Sequence, residues 1–325
     1  MKKSLVALAV LAASGAVLAQ VKISGNLTAG FSQTQTPGVG SASGFGVDTA
    51  DITFAASEDL GGGMKAGASM GLVNVVRGAT AAGAVLPATG SFGPANTSLY
   101  VSGEFGKITM ATARATDYLT GGVAAVGGTF QDGRALSARD VTDSVSYALT
   151  AGPMAITLAY SEPNNVVGLG GGTTANGSQS YSSIGLRYTD GPIVADIGYH
   201  MYDEGDTTSK DKTNMRFAAS YDLGMAKLGA GWTQRSGQQN GGTRTDMGAA
   251  VSVPMGALTL GANWVQREYS KYQSKADGVN VGYGVSANYA LSKRTAFIAD
   301  YTAYTSDSSR AEMTTVYNLF LSHSF

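Results

Sequence analysis

The chain has no cysteine, so its stability cannot rest on disulfides, and no metal site can be built on thiolates. Charged residues make up only 14% of it, where an ordinary soluble protein carries roughly 25%. Proline is scarce, at 7 residues. No stretch beyond Ala19 approaches the ~18 consecutive apolar residues of a membrane-crossing helix. A basic surplus is missing too. The 22 basic residues, less Lys2 and Lys3, face 23 acidic ones, a net of about −3, which excludes a nucleic-acid partner.

What is abundant is glycine, at 45 residues, and tyrosine, whose 16 residues outnumber the 10 phenylalanines. Mean hydropathy is near zero. Neutral average hydropathy with alternating detail is the pattern of a membrane β-barrel, whose apolar signal is spread over short strands. The first residues fit export. Lys2 and Lys3 precede an apolar run from Leu5 to Ala13, and small residues follow. Residues 1–19 read as a cleaved secretory signal peptide, cut ahead of Gln20, leaving 20–325 as a single barrel domain.

The closing segment YNLFLSHSF alternates: Tyr317, Leu319, Leu321, His323 and Phe325 share one face, while Asn318, Ser322 and Ser324 share the other. Period two means a strand. About sixteen such strands can be counted, from VKISGNLTAGFS, ADITFAAS and MKAGASMGL through to this one. Short turns such as DLGGG and DGP alternate with long Gly-rich connections near 74–95, 116–138 and 162–179. That rhythm predicts an all-β, antiparallel transmembrane barrel with short turns on one side and long loops on the other.

Parity sorts the two faces. Phe54, Leu99, Val101, Ile108, Met110, Leu158, Phe217, Trp264, Tyr283 and Phe297 fall on one. The other carries Lys22, Lys65, Lys107, Arg187, Arg216, Lys227, Arg235, Arg244 and Arg267, with Asp51, Glu104, Asp196, Asp222, Asp246 and Asp300. A Lys or Arg on the lipid side costs about 2–4 kcal/mol at the bilayer midplane. The charged face is therefore the inside, and about sixteen strands leave room for water there. Phe325 then faces lipid, on a last strand that must pair with the first, because hydrocarbon leaves no backbone group unpaired.

SEDLGGGMKA (57–66), FGKITMA (105–111), LSKRTAFIADY (291–301) and terminal Phe325 together resemble the Gram-negative general porins of the Burkholderia type. The order and spacing hold from Gln20 to Phe325. The resemblance implies a homotrimeric barrel in an outer membrane whose lipids include lipopolysaccharide. It implies passive diffusion of small hydrophilic solutes and ions. No cofactor is expected, and a metal at the loop carboxylates stays open because the sequence places none. It also implies that the third loop, about 116–138, folds inward to narrow the pore; Gly121, Gly122, Gly127 and Gly128 would let it bend. In such porins wall arginines face loop acids across a constriction. Aligned on SEDLG, Asp51 stands where the family often has Arg, Thr112 stands at another such place with Arg114 two residues later, and Arg139 sits where an Arg is expected. The resulting constriction set is Arg139, Arg134, Arg114, Asp51, Asp117 and Asp132, with Arg134 free to pair with either loop acid. The wider lining is Lys22, Lys65, Lys107, Arg187, Asp196 and Arg216. The basic surplus of the lining implies a weak preference for anions.

Two rival readings use other residues. A barrel enzyme would need His200, near Asp196, Asp203 and Glu204, but no Ser is tied to it by spacing, and a hydrogen-bonded wall residue is the plainer reading. A substrate-specific channel would use inward aromatics, of which Tyr100 and Tyr202 are the two candidates.

Overall fold

The computed structural model describes residues 20–74, 92–115, 119, 122–128, 131, 133–136, 141–163, 179–203, 211–238, 241–307 and 309–325. The proposed signal peptide lies outside them. No helix occurs among the described residues. The strands are β1 (Gln20–Thr36), β2 (Gly40–Gly61), β3 (Met64–Asn74), β4 (Phe92–Gly103), β5 (Gly106–Arg114), β6 (Val141–Ala151), β7 (Met154–Pro163) and β8 (Tyr181–Asp190). They continue through β9 (Ile193–Tyr202), β10 (Asp211–Asp222), β11 (Lys227–Gly237), β12 (Thr243–Met255), β13 (Leu258–Ser270), β14 (Gly278–Ala290), β15 (Thr295–Ser306) and β16 (Ser309–Ser324).

Each strand pairs with its neighbours in the chain, and β16 returns antiparallel to β1, so the sheet is a closed barrel with no free edge. The seam shows why the chain can end on an aromatic residue. Gly25 and Phe325 exchange both backbone hydrogen bonds at 3.1 Å. A side chain on Gly25 would run into the Phe325 ring, so glycine makes the last residue's place.

The barrel is inside out relative to a soluble protein. Leu99, Met110, Leu158, Phe217 and Phe297 are exposed on the outer surface, while Asn214, Arg216, Asp246, Arg267 and Asn280 are buried on the inner one. Only hydrocarbon makes that arrangement favourable, because in water the outer surface would be one continuous apolar patch. On the outside Tyr283, Tyr301 and Tyr317 touch ring to ring across β14–β16, with centroids 6.5 and 4.8 Å apart. Tyr289 lies lower on β14, ~20 Å away at ~3.3 Å per residue. Two aromatic levels at that separation bracket an apolar band close to the ~25 Å of outer-membrane barrels.

Two expectations change. The strand expected as ADITFAAS begins at Gly40, not Ala50, because residues 40–49 continue the pairing with β1 through a bulge between Thr28 and Ala29. The segment GSASGFG is too rich in Gly and Ser to show two contrasting faces. Nor are the connections on the long-loop side uniformly long. β1–β2, β11–β12, β13–β14 and β15–β16 are joined there by short links, at 37–39, 238–242, 271–277 and 307–308.

Candidate functional site

The described part of the connection between β5 and β6 lies inside the barrel. Its turns are held by local backbone bonds, Ala125 N to Gly122 O at 3.1 Å and Arg134 N to Gln131 O at 3.0 Å. Its seat is a row of inward glycines. Side chains at Gly229 and Gly231 would meet Ala124 and Leu119; at Gly261, Gly127; at Gly282, Gln131 and Ala135. Each missing Cβ is space the loop occupies. Polar anchors fix it laterally: Ser286 Oγ donates to Gly127 O at 3.0 Å, and Gln131 Nε2 to Asn263 Oδ1 at 3.2 Å. Leu119, Ala135, Leu136 and Val265 form a small apolar core within the polar lumen, with Tyr304 against it.

The glycines expected to bend this loop divide their roles. Gly128 takes a left-handed φ of 79°, as does Gly133 at 74°, which sequence reasoning did not single out. Gly127 instead provides room, since a Cβ there would collide with the Ala262 backbone.

Across β8–β13 the inner wall carries six basic residues, Arg187, Arg216, Lys227, Arg235, Arg244 and Arg267, against four aspartates, Asp196, Asp211, Asp222 and Asp246. Arg187 forks onto Asp196 with two bonds of 2.7 Å. Arg267 forks onto Asp246 at 2.6 and 2.8 Å, and Arg244 reaches the same carboxylate at 3.1 Å. Arg235 and Arg244 stand directly opposite each other in the register. Like charges in that position are destabilising. Their neighbours offset the cost. Arg235 bonds Asp211 at 2.7 Å and lies 5.8 Å over the Tyr202 ring.

Asp211 is a hub at the long-loop end that parity could not find, because a bulge between Asp211 and Thr213 breaks the alternation. It receives Arg235, the Tyr272 hydroxyl and Gln273 Nε2, the last at 3.0 Å. Burial, then the Asp211 charge, push the Tyr272 hydroxyl's pKa up, so it stays a donor to that carboxylate.

The sequence-selected residues fall into separate groups. Arg114, Arg187, Asp196 and Arg216 border one recess of about 440 Å³ inside β5–β10, together with His200 and Tyr181. Asp51 lies elsewhere, on β2, accepting from Asn26 N at 2.7 Å beside the β1–β16 seam. Lys65 and Lys107 flank Ser102 toward the short turns, with Lys107 4.1 Å over the Tyr100 ring, and Lys22 lies near them on β1. Arg134 Nη1 donates to Thr302 Oγ1 on β15 at 2.6 Å. Asp117, Asp132 and Arg139 lie outside the described residues. Asp222 closes its turn by accepting from Gly224 N at 2.8 Å. His200 is the expected hydrogen-bonded wall residue: its Nε2 accepts from Arg216 at 3.3 Å. Among the described residues no cluster of His, Cys, Asp and Glu could hold a metal ion.

A closed sixteen-strand barrel with an apolar exterior, a charged interior and a loop laid along its inner wall is an outer-membrane channel. The sequence matches the Gram-negative porin family over residues 4–309, and the chain belongs to that family. It is thus a non-enzymatic channel protein of the outer membrane. Solved structures share the fold at low identity. The anion-selective porin from Comamonas acidovorans superposes with a TM-score of 0.70 at 17% identity, covering 94% of this chain and 100% of that one. OmpF of Salmonella typhi, in complex with daunomycin, gives 0.71 at 12%, covering 94% and 98%. A loop L8 deletion mutant of OmpT from Vibrio cholerae gives 0.63 at 16%, covering 94% and 99%. No curated protein matches the chain by sequence.

Proposed function

We propose that the protein is a general diffusion porin, passing small hydrophilic solutes and ions down their gradients with a weak preference for anions. The observation that carries this is the inner wall of β8–β13, where six basic residues face four aspartates. A polar wall of that composition holds water and concentrates anions along one side of the lumen. The similarity to a porin named anion-selective supports the sign.

We further propose a homotrimer, joined through β1–β5. The only Tyr or Trp on those strands is Tyr100, and it points inward against Gly67, so this outer face has no Tyr or Trp belt. Thr97, Thr112, Asp143 and Glu162 form an outward row beside it, bordering an outer recess of about 750 Å³. Carboxylates facing outward are costly against lipid and tolerable against protein. The belted remainder of the surface would meet lipid, including lipopolysaccharide in the outer leaflet.

Single-channel recording in planar bilayers across a KCl gradient tests the reading. Large steps, grouped in threes, with a small reversal potential of anionic sign are expected. A folded barrel that carries no current would overturn it, and a cationic sign would overturn the selectivity.

A further inference from the structure

The link between β13 and β14, residues 271–277, does not stand clear of the barrel. Its tip turns back over the inner wall at the long-loop end. Tyr272, only 4% exposed, reaches from this link to the start of β10 and donates its hydroxyl to Asp211. Gln273 Nε2 donates to the same carboxylate at 3.0 Å. Between those points lie β11 and β12, and the link rests on the turn that joins them, since a Cβ at Gly242 would collide with the Lys271 carbonyl. Arg235 and Arg244, opposed on those two strands, lie beside Tyr272, with 27% and 14% of their side chains exposed.

The backbone that turns Tyr272 inward is strained. Lys271 and Gln273, on either side of it, have φ of 48° and 55°. Among the described residues they are the two non-glycine residues in the left-handed region. Such strain persists only where surrounding contacts over-determine it, and it gathers at switches. Here the side-chain contacts of the tip converge on one residue. Both run to Asp211, so loss of that seat frees the hydroxyl and the amide together. The base of the link is held separately. Lys271 N donates to the Asp277 carboxylate, and Arg310 on β16 donates to the carbonyls of Ala276 and Asp277 at 2.9 and 3.1 Å. A strained tip on a single seat, above a fixed base, has two states close in energy.

We propose that residues 271–274 form a releasable strap that sets how much of the basic wall the lumen sees. Seated, Tyr272 shields Arg235 and Arg244. Released, it opens the long-loop mouth along β10–β13 and presents those two guanidinium groups to passing anions, while each keeps its carboxylate partner. The proposal rests on the channel reading above and deepens it: the weak anion preference becomes the average of two conducting levels.

Single-channel recording in a KCl gradient reads both levels. The unmodified protein is expected to show a main level and a rarer, larger level with a more anionic reversal potential. Tyr272→Phe removes the hydroxyl bond and should raise occupancy of the larger level about five- to tenfold. Gly242→Ala, which pushes on Lys271 without touching Asp211, should raise it as well. Lys271→Gly relaxes the left-handed φ of the seated state and should lower occupancy about three- to tenfold. Lys271→Gln removes the same charge but keeps the strain, and should leave occupancy within about twofold. A single level in the unmodified protein, Tyr272→Phe and Gly242→Ala alike would overturn the strap while leaving the porin reading intact. So would a shift in the same direction by Tyr272→Phe and Lys271→Gly. Loss of KCl steps in the unmodified protein would overturn both.

Discussion

Along β11, β13 and β14 the inward positions Gly231, Gly261 and Gly282 carry no side chain, and the loop between β5 and β6 fills the space. Along β6–β8 the equivalent positions carry Ser144, Ser146, Thr157 and Ser183, and the space stays open as a recess. Strand geometry is the same in both stretches. What differs is the run of side-chain sizes on one face, and the bare run is the one the loop covers. The ion pairs follow the same division. Asp246 and Arg267 are each 4% exposed, whereas Arg187, in the same forked geometry with Asp196, is 52% exposed.

The sharpest way to break this comparison is to remove one carboxylate from each wall. Asp246→Ala leaves Arg267 and Arg244 buried without their shared partner, and should cost about 3–5 kcal/mol. Asp196→Ala leaves an arginine that water can reach, and should cost only ~0–1 kcal/mol. Urea midpoints of the detergent-folded barrels measure both; equal losses would mean that the two walls are equally dry. The next effect concerns the seat. Gly261→Val drives a side chain into the Gly127 backbone, with an expected loss of about 1–3 kcal/mol. The displaced loop should admit larger sugars in liposome swelling, and an unchanged size limit would show that the loop is held elsewhere.

The smallest effect lies outside the membrane, where Lys275 Nζ bonds Asp307 Oδ2 at 2.8 Å. Burial pushes the Asp307 carboxyl up, but hydrogen bonds from Lys275 and Asn280 outweigh it and hold it below the ordinary range. The Lys275 pKa is raised, chiefly by its hydrogen bond to Asp307. A depressed carboxylate contributes above its unfolded value and is lost as pH falls through the folded one. A raised ammonium is lost only as pH climbs past the ordinary lysine value. Protection of the 271–277 link in hydrogen exchange should therefore stay flat between about pH 5 and pH 9, and fall only below about pH 4. Loss of protection near neutrality would assign the clasp to other groups.

The barrel was legible because its strands alternate and its turns carry Gly and Asp. The same alternation placed Arg187, Asp196, Arg216, Asp246 and Arg267 on one face. It could not show which of them meet, since cross-strand partners depend on a register that a sequence does not state. Asp211 escaped because a bulge resets parity at its strand start. The loop seat escaped for another reason. Gly231 and Gly282 are far apart in sequence, and nothing in either strand alone says that a distant loop needs both spaces. Arg134 was legible as a loop charge but not as a partner of Thr302, a contact made only once the loop is laid down.

The pair formed by Gly25 and Phe325 has a consequence for how the molecule is made. Two strands from opposite ends of the sequence supply the final ladder, so every earlier intermediate has two raw edges of unpaired amides and carbonyls. Such an intermediate cannot be surrounded by hydrocarbon without severe cost. Closure is also the contact with the greatest sequence separation and the slowest kind to form. A chain missing its final strand would stay on the aqueous side, available to proteases, so the last hydrogen bonds act as a checkpoint on entry into the bilayer.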